Sequence, residues 1–291
     1  MYTFVEFFQN NLTIYLSSVF LIGLVVGSFL NVVIIRLPII LEAGWKKECC
    51  ELLEIKKNKI NSDKVFNLIF PSSHCPLCKY KIKISQNIPI FSYLLLKGKC
   101  KNCRKDISPR YPIIELTSAV LACFTAFIFG VSLQAFFAIC LTWSLIVLSV
   151  IDFDTRYLPD NITLPLLWFG ILISTFNIFT DINSSIFGAI FGYGILWTIN
   201  FFFRIITGKV GMGHGDFKLL AVFGAWFGWQ NLAPVLILSS AIGIFVALIL
   251  IFNKSYDKNK GIPFGPYLAF SGWLSMIVGG YVISAYLNFI I

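Results

Sequence analysis

LAPVLILSSAIGIFVALILIF, residues Leu232–Phe252, is the stretch whose reading decides the fold. It holds no charged residue in 21 positions. As an α-helix rising 1.5 Å per residue it crosses the roughly 30 Å hydrocarbon core of a bilayer. Working outward, apolar runs recur at Leu12–Leu37, Pro112–Gly130, Ala135–Ile151, Ile162–Phe179, Ile186–Phe203, Phe217–Trp229 and Phe264–Phe289, of which Phe217–Trp229 is the shortest. Hydrophobic residues make up 57% of the chain and charged residues 13%, where soluble domains carry about 25% charged residues. Mean hydropathy is +0.82. A soluble helical bundle needs polar outer faces on its helices, and these runs have none. The expected fold class is all-α and polytopic, with about eight transmembrane helices. Met1–Asn11 contains Glu6 and no Lys or Arg, which is not the basic start of a cleaved signal peptide. The first apolar run is therefore expected to be a retained span.

Charge orients the spans. Of 23 Lys and Arg residues, 15 lie between Pro38 and Tyr111. With eight spans the other eight also fall in or beside loops on that same side, and the opposite connections carry none. By the positive-inside rule the basic side faces the cytoplasm, with both termini outside. The net charge of +9 then reads as a topology signal, and a nucleic-acid surface is not expected.

The polar segment 38–111 is expected to be a cytoplasmic insert between a first span, 1–37, and a seven-span domain, 112–291. It contains two C-x2-C knuckles, Cys75/Cys78 and Cys100/Cys103. Two such turns supply four thiolates, enough to close a tetrahedral structural zinc site, and a reducing cytoplasm favours metal over disulfide. A short polar segment buries little core, so a metal staple has a physical purpose. His74 precedes the first knuckle but is surplus to four thiolates. Cys49 and Cys50 receive no role, Cys123 and Cys140 fall inside spans, and Glu48–Lys64 reads as a surface helix or tether. Glycine pairs such as Gly23/Gly27 and Gly188/Gly192 read as close helix crossings.

Only 14 residues are acidic, yet two acidic clusters sit at span ends: IDFDTRYLPD (151–160) and GMGHGDFK (211–218). Ionisable groups at a membrane boundary are costly to place and mark function by default. The topology brings both clusters to the same side. Residues 211–216 lack the order of a phosphate-binding loop; their alternating glycines leave an open backbone that an extended peptide can approach. Two carboxylates held together share one proton. The ionised member can then activate water while the protonated one serves the scissile carbonyl. The competing reading is two unrelated acids that cap helices or pair with Arg156, Arg204 or Lys209. Lys218 is not on the helical face of Asp216 and is given no catalytic role.

Four blocks together resemble the bacterial type IV prepilin leader peptidases, aspartic peptidases of the GxGD type that are also N-methyltransferases. They are Gly27–Pro38; the insert residues Cys75, Cys78, Asn87–Pro89, Gly98–Cys100, Cys103, Arg110–Pro112 and Glu115; Asp152–Asp160; and Gly213–Lys218. The resemblance implies prepilin or pseudopilin substrates with short basic leaders, cleaved at the cytoplasmic face of the bacterial inner membrane. It also implies methylation of the new N-terminus from S-adenosylmethionine. Carried over by position, the catalytic pair is Asp152 and Asp216, with Asp154 a competitor for the first place; the methyl-donor residues are left unassigned. An ion-coupled transporter would place acids at mid-span and has no use for four cysteines. A family member that cleaves without methylating would share most of these blocks. An intramembrane peptidase of the presenilin kind would hold its acids inside adjacent spans and lack the cysteine insert.

Overall fold

The computed structural model describes residues 2–54, 66–75, 77–83, 87–209, 211–253 and 261–290. Among these residues the regular structure is helical, with only two isolated β-bridges. The chain divides into two compact units, Met1–Phe127 and Ile128–Ile291.

The first unit is built on α1 (Tyr2–Asn10), α2 (Leu12–Leu52), α3 (Phe91–Leu95) and most of α4 (Arg110–Phe129). The first span was expected to stop at Leu37, but α2 runs on through Pro38 to Leu52. A proline inside a helix removes one hydrogen bond and crowds the preceding turn. Here Leu37 and Pro38 are buried, so packing holds the helix where the ring alone would break it. Beyond Pro38, Lys46 faces Glu42 and Lys47 faces Glu51, each at 3.9 Å and four residues apart, a spacing that supports a helix by a few tenths of a kcal/mol per pair. Of the expected surface helix Glu48–Lys64, the residues up to Leu52 belong to α2, and 55–64 lie outside the described residues, as do Lys254, Lys258 and Lys260. Gly23 and Gly27 let α2 lie directly on α4: a Cβ on Gly23 would stand 2.6 Å from the Ala119 Cα, and one on Gly27 2.7 Å from the Glu115 Cα. The Ser118 hydroxyl fastens the crossing by donating to the Gly23 carbonyl at 2.9 Å.

The second unit contains α5 (Leu133–Thr155), α6 (Asp160–Ser174), α7 (Ile182–Thr207), α8 (His214–Phe227), a 3-10 turn (Trp229–Asn231), α9 (Leu232–Phe252) and α10 (Gly265–Ile290). Their starts follow capping chemistry. The Ser132 hydroxyl accepts the Ala135 N–H at 3.0 Å, and the Asp181 carboxylate accepts the Ser184 N–H at 2.9 Å. Gly208, in the left-handed region at φ 69°, ends α7. At the centre lies α8, buried continuously from Leu219 to Phe227 among α6, α7 and α10. Gly188 of α7 and Gly224 of α8 meet backbone to backbone, since a Cβ on either would overlap the other's main chain. Ser185 donates to the Ala225 carbonyl at 2.6 Å, and Trp226 to the Leu166 carbonyl at 2.9 Å. The Ser185 and Trp226 side chains are thereby satisfied inside an apolar bundle.

Every expected apolar run overlaps a helix, although α6 stops at Ser174, short of the expected Phe179. Among the described residues five helical stretches are long and apolar enough to cross a membrane: α2, α4, α5, α7 and Trp229–Phe252. With 15 and 14 residues, α6 and α8 are shorter than the roughly 20 that a bilayer core requires. The protein is multi-pass: of the eight expected spans, those five meet that length and hydropathy among the described residues.

Candidate active site and cysteine module

Asp152 sits in the last turn of α5. That turn ends because Arg156 adopts a left-handed conformation, φ 61°, and returns its N–H to the Asp152 carbonyl at 2.9 Å. Asp152 as a residue is only 5% exposed. Its Oδ2 accepts the backbone N–H of Gly265, the first residue of α10, at 3.0 Å. A side chain at position 265 would place its Cβ 2.6 Å from that oxygen, so the approach depends on glycine. Asp216 lies in the first turn of α8, 9% exposed, with its N–H directed at the Gly213 carbonyl at 3.3 Å.

Leu158 joins the two neighbourhoods. A Cβ on Gly215 would come within 2.9 Å of the Leu158 Cβ, and a Cβ on Gly265 within 3.3 Å of its Cδ2. One buried leucine therefore touches the residue beside Asp216 and the residue that holds Asp152. The Asp152 carboxylate is within electrostatic reach of Asp216, and Arg156 within reach of Asp152. Asp154 is exposed, as its position two residues along the helix from buried Asp152 requires. The structure thus brings Asp152 and Asp216 together and leaves Asp154 outside the pair.

Gly211 and Gly213 are exposed, and the loop is anchored by Asn200, whose Oδ1 accepts the N–H groups of Gly211 at 3.1 Å and Met212 at 3.2 Å. Lys218 grips both oxygens of Asp160 at 2.7 Å, tying the start of α8 to the start of α6. Sequence reasoning missed Gly265 and Asn200. For Gly265 a signal was available: a glycine between Phe264 and Pro266 at the threshold of an apolar run.

In the first unit the Sγ atoms of Cys75, Cys78, Cys100 and Cys103 lie within 4.8 Å of one another, with Cys75 to Cys103 at 3.8 Å and Cys78 to Cys100 at 4.0 Å. A tetrahedral site with metal–sulfur bonds of about 2.3 Å has sulfur–sulfur edges of about 3.8 Å. The two knuckles repeat one design. The Cys75 N–H bonds the Tyr80 carbonyl at 2.9 Å, and the Cys100 N–H bonds the Lys105 carbonyl at 2.8 Å. Lys79 and Arg104 each take a positive φ four residues after the first cysteine, and bridges pair His74 with Lys81 and Lys99 with Asp106. The Tyr80 backbone N–H, then the Asn102 side chain, pull the Cys78 thiol down to about 6. At Cys103 the Lys105 N–H favours the thiolate, but desolvation and the three neighbouring sulfurs outweigh it and push the thiol up to about 11. Four thiolates this close need a cation among them, and the cluster could hold a metal ion. His74 stands outside it, its Nδ1 beside the Ser72 carbonyl at 3.1 Å.

Residues 21–129 match the profile of the bacterial peptidase A24 N-terminal domain, and residues 139–248 that of the type IV leader peptidase family. Over 285 residues, 98% of each chain, the protein is 42% identical to a Stutzerimonas stutzeri protein named prepilin leader peptidase/N-methyltransferase. Proteins of the same name from Pseudomonas aeruginosa (44% identical over 92% of each chain) and Legionella pneumophila (42% identical over 92% of this chain and 93% of the relative) are also similar. No solved structure matches the chain.

Proposed function

The chain belongs to the type IV leader peptidase family, and from that premise we propose that it cleaves the leader from prepilins or pseudopilins with the Asp152–Asp216 pair and then N-methylates the freed amine. The observation that carries the assignment is the convergence of two buried carboxylates on one place beneath Leu158, from helix ends 64 positions apart in sequence. Like charges so close disfavour double ionisation, so one proton is shared. The ionised member draws a proton from a water as its oxygen attacks the scissile carbonyl. The protonated member donates a hydrogen bond to the carbonyl oxygen, and its proton passes to the leaving amine as the C–N bond breaks. The Gly265 N–H supplies a donor that favours charge on Asp152. The exposed Gly211–Gly213 backbone is where an extended leader peptide would run.

The four cysteines would hold a zinc ion whose role is to fold the insert, away from the cleavage chemistry. The peptidase pair belongs to the membrane domain 112–291. The catalytic loops and the insert 38–111 face the cytoplasm, at the inner membrane of a bacterium. S-adenosylmethionine, when bound, supplies the methyl group as a sulfonium carbon open to attack by the new α-amine.

One experiment reads both reactions. The purified full chain is incubated with a synthetic prepilin peptide, with and without S-adenosylmethionine, and mass spectrometry follows loss of the leader and gain of one methyl. An intact peptide in both samples would end the proposal. Asp216→Asn is expected to stop cleavage yet still methylate a pilin peptide supplied already cleaved, because an amine attacking a sulfonium does not need the acid pair. Loss of both activities in that variant would mean that the reactions share one site.

For the metal, elemental analysis of the purified protein should find one zinc per chain. Cys75→Ser or Cys100→Ser should lower the zinc content and expose the insert to trypsin, since metal binding and folding of such a module are one equilibrium. A zinc-free chain whose insert resists trypsin as well as the wild type does would remove the metal from the account.

A further inference from the structure

A cleft of about 630 Å³ opens in the first unit between the second half of α2, the cysteine module, the α3 turn and the start of α4. That volume suits a ligand of drug or cofactor size. None of the acids assigned to cleavage lines it.

Its floor is an acceptor surface. Asn31, 4% exposed, uses its Nδ2 to bond the Gly27 and Tyr111 carbonyls, each at 3.2 Å. Both of those bonds use the amide nitrogen, so the Asn31 Oδ1 is left as an acceptor in the lining of the cleft. Glu115, 8% exposed, accepts the Ile90 N–H on Oε2 at 2.8 Å and is bonded by the Ser28 hydroxyl. The Arg36 guanidinium is already committed to the carbonyls of Asn67, Leu68 and Pro71, so the floor offers acceptors rather than cations.

The turn that Glu115 holds is strained. Ile90 has φ 59° and ψ −51°, with the Phe91 N–H closing onto the Pro89 carbonyl at 2.6 Å. This is the γ-turn of positive φ, rare and unfavourable, and a β-branched residue there is an outlier. Strain of this kind persists where surrounding structure enforces it, and it concentrates at ligand sites. The segment it bends, from Asn87 to Leu96, supplies one wall of the cleft. Tyr80, Tyr93 and Tyr111 add flat aromatic surface, and the exposed Lys79, Lys101 and Lys105 make the rim basic.

We propose that this cleft is the S-adenosylmethionine site of the chain, with Glu115 and Asn31 meeting the cationic part of the donor, tyrosine faces taking its adenine, and the basic rim its carboxylate. The proposal rests on the methyl-transfer reading above. A polyphosphate nucleotide would bring its negative charge onto the Glu115 carboxylate, whereas a sulfonium and an ammonium complement it. In the transfer, the nitrogen lone pair of the freed amine forms the N–C bond while the C–S bond breaks. Its electrons stay on sulfur as a thioether, and the proton of the methylated ammonium passes to water.

The test is equilibrium binding of S-adenosylmethionine and S-adenosylhomocysteine to the full chain in detergent, by calorimetry, with prepilin cleavage measured on the same samples. Glu115→Gln keeps an oxygen for the Ile90 N–H and removes the charge. Val32→Trp fills the cleft from the α2 side. Each should weaken binding about tenfold or more while cleavage stays at the wild-type rate. In parallel, the wild type is photolabelled with an azido-adenine analogue of S-adenosylmethionine, and the label should map to peptides containing Tyr80, Tyr93 or Tyr111. Wild-type affinity in both variants, or a label confined to 128–291, would overturn the site and leave the methyltransferase reading standing. A wild type that binds neither compound and methylates nothing would overturn both. Should either variant fail to fold, the label on the wild type decides.

Discussion

Asp152→Asn and Asp216→Asn, each made alone in the full chain, will reduce leader cleavage by at least the 10²–10⁴-fold, roughly, that acid–base groups contribute, while the protein still inserts and extracts normally. Asparagine preserves the shape of each side chain. At position 152 its carbonyl oxygen can still accept the Gly265 N–H, so the fold loses no buried bond. What is lost is the shared proton: a dyad with one amide can no longer both take a proton from water and give one to the leaving amine. Asp154→Asn serves as the internal control. That carboxylate is exposed, and its replacement should leave cleavage close to the wild-type rate. Cleavage that survives Asp152→Asn but not Asp154→Asn would mean that the first acid has been assigned two residues too early.

Gly224→Val will be the most destabilising of the conservative-looking substitutions, with Gly188→Val close behind. Adding volume to a packed core costs about 1–3 kcal/mol where side chains can shift aside. Here the obstacle is the opposing main chain at both positions, which cannot rotate away, so the cost belongs at or above the top of that range. Separation of α7 from α8 would also carry away the helix whose first turn holds Asp216. The expected readout is a large drop in the temperature at which detergent-solubilised protein leaves the monodisperse peak, together with loss of cleavage. Gly194→Ala, on α7 with Gly188 but with open space where its Cβ would go, should be neutral or stabilise by up to about 1 kcal/mol through the unfolded chain. A Gly224→Val protein that melts with the wild type would show that the crossing tolerates separation.

What the sequence disclosed was local. The apolar runs, the two C-x2-C knuckles and the two acidic clusters each announce themselves within about 20 residues, because helix length, ligand spacing and the cost of charge near lipid are short-range rules. What it concealed was pairing across the chain. The Gly265 N–H meets Asp152 over 113 positions, and Glu115 reaches the Ile90 N–H over 25. No local periodicity encodes either bond. No sequence rule pairs Asp160 with Lys218 across 58 positions, and the fold makes them partners. The run of α2 past Pro38 to Leu52 was not legible either, because the burial of Leu37 and Pro38 that sustains the helix there is tertiary. The setting of α8 was hidden for a related reason. Hydropathy registers that α8 is apolar, but not that the medium around it is other helices rather than lipid.

That enclosure of α8 sets an order of events during synthesis. A helix of 14 residues, about 21 Å long, is too short to be driven into a bilayer on its own account, and every residue from Leu219 onward is sheltered by neighbours. It can settle only once α6 and α7 are in place to receive it, and one of its flanks waits for α10, which the ribosome makes afterwards. The same late helix delivers the Gly265 N–H to Asp152. A nascent chain therefore carries both acids of the proposed dyad well before their surroundings are complete, and the membrane meets the finished arrangement only after the bundle has closed.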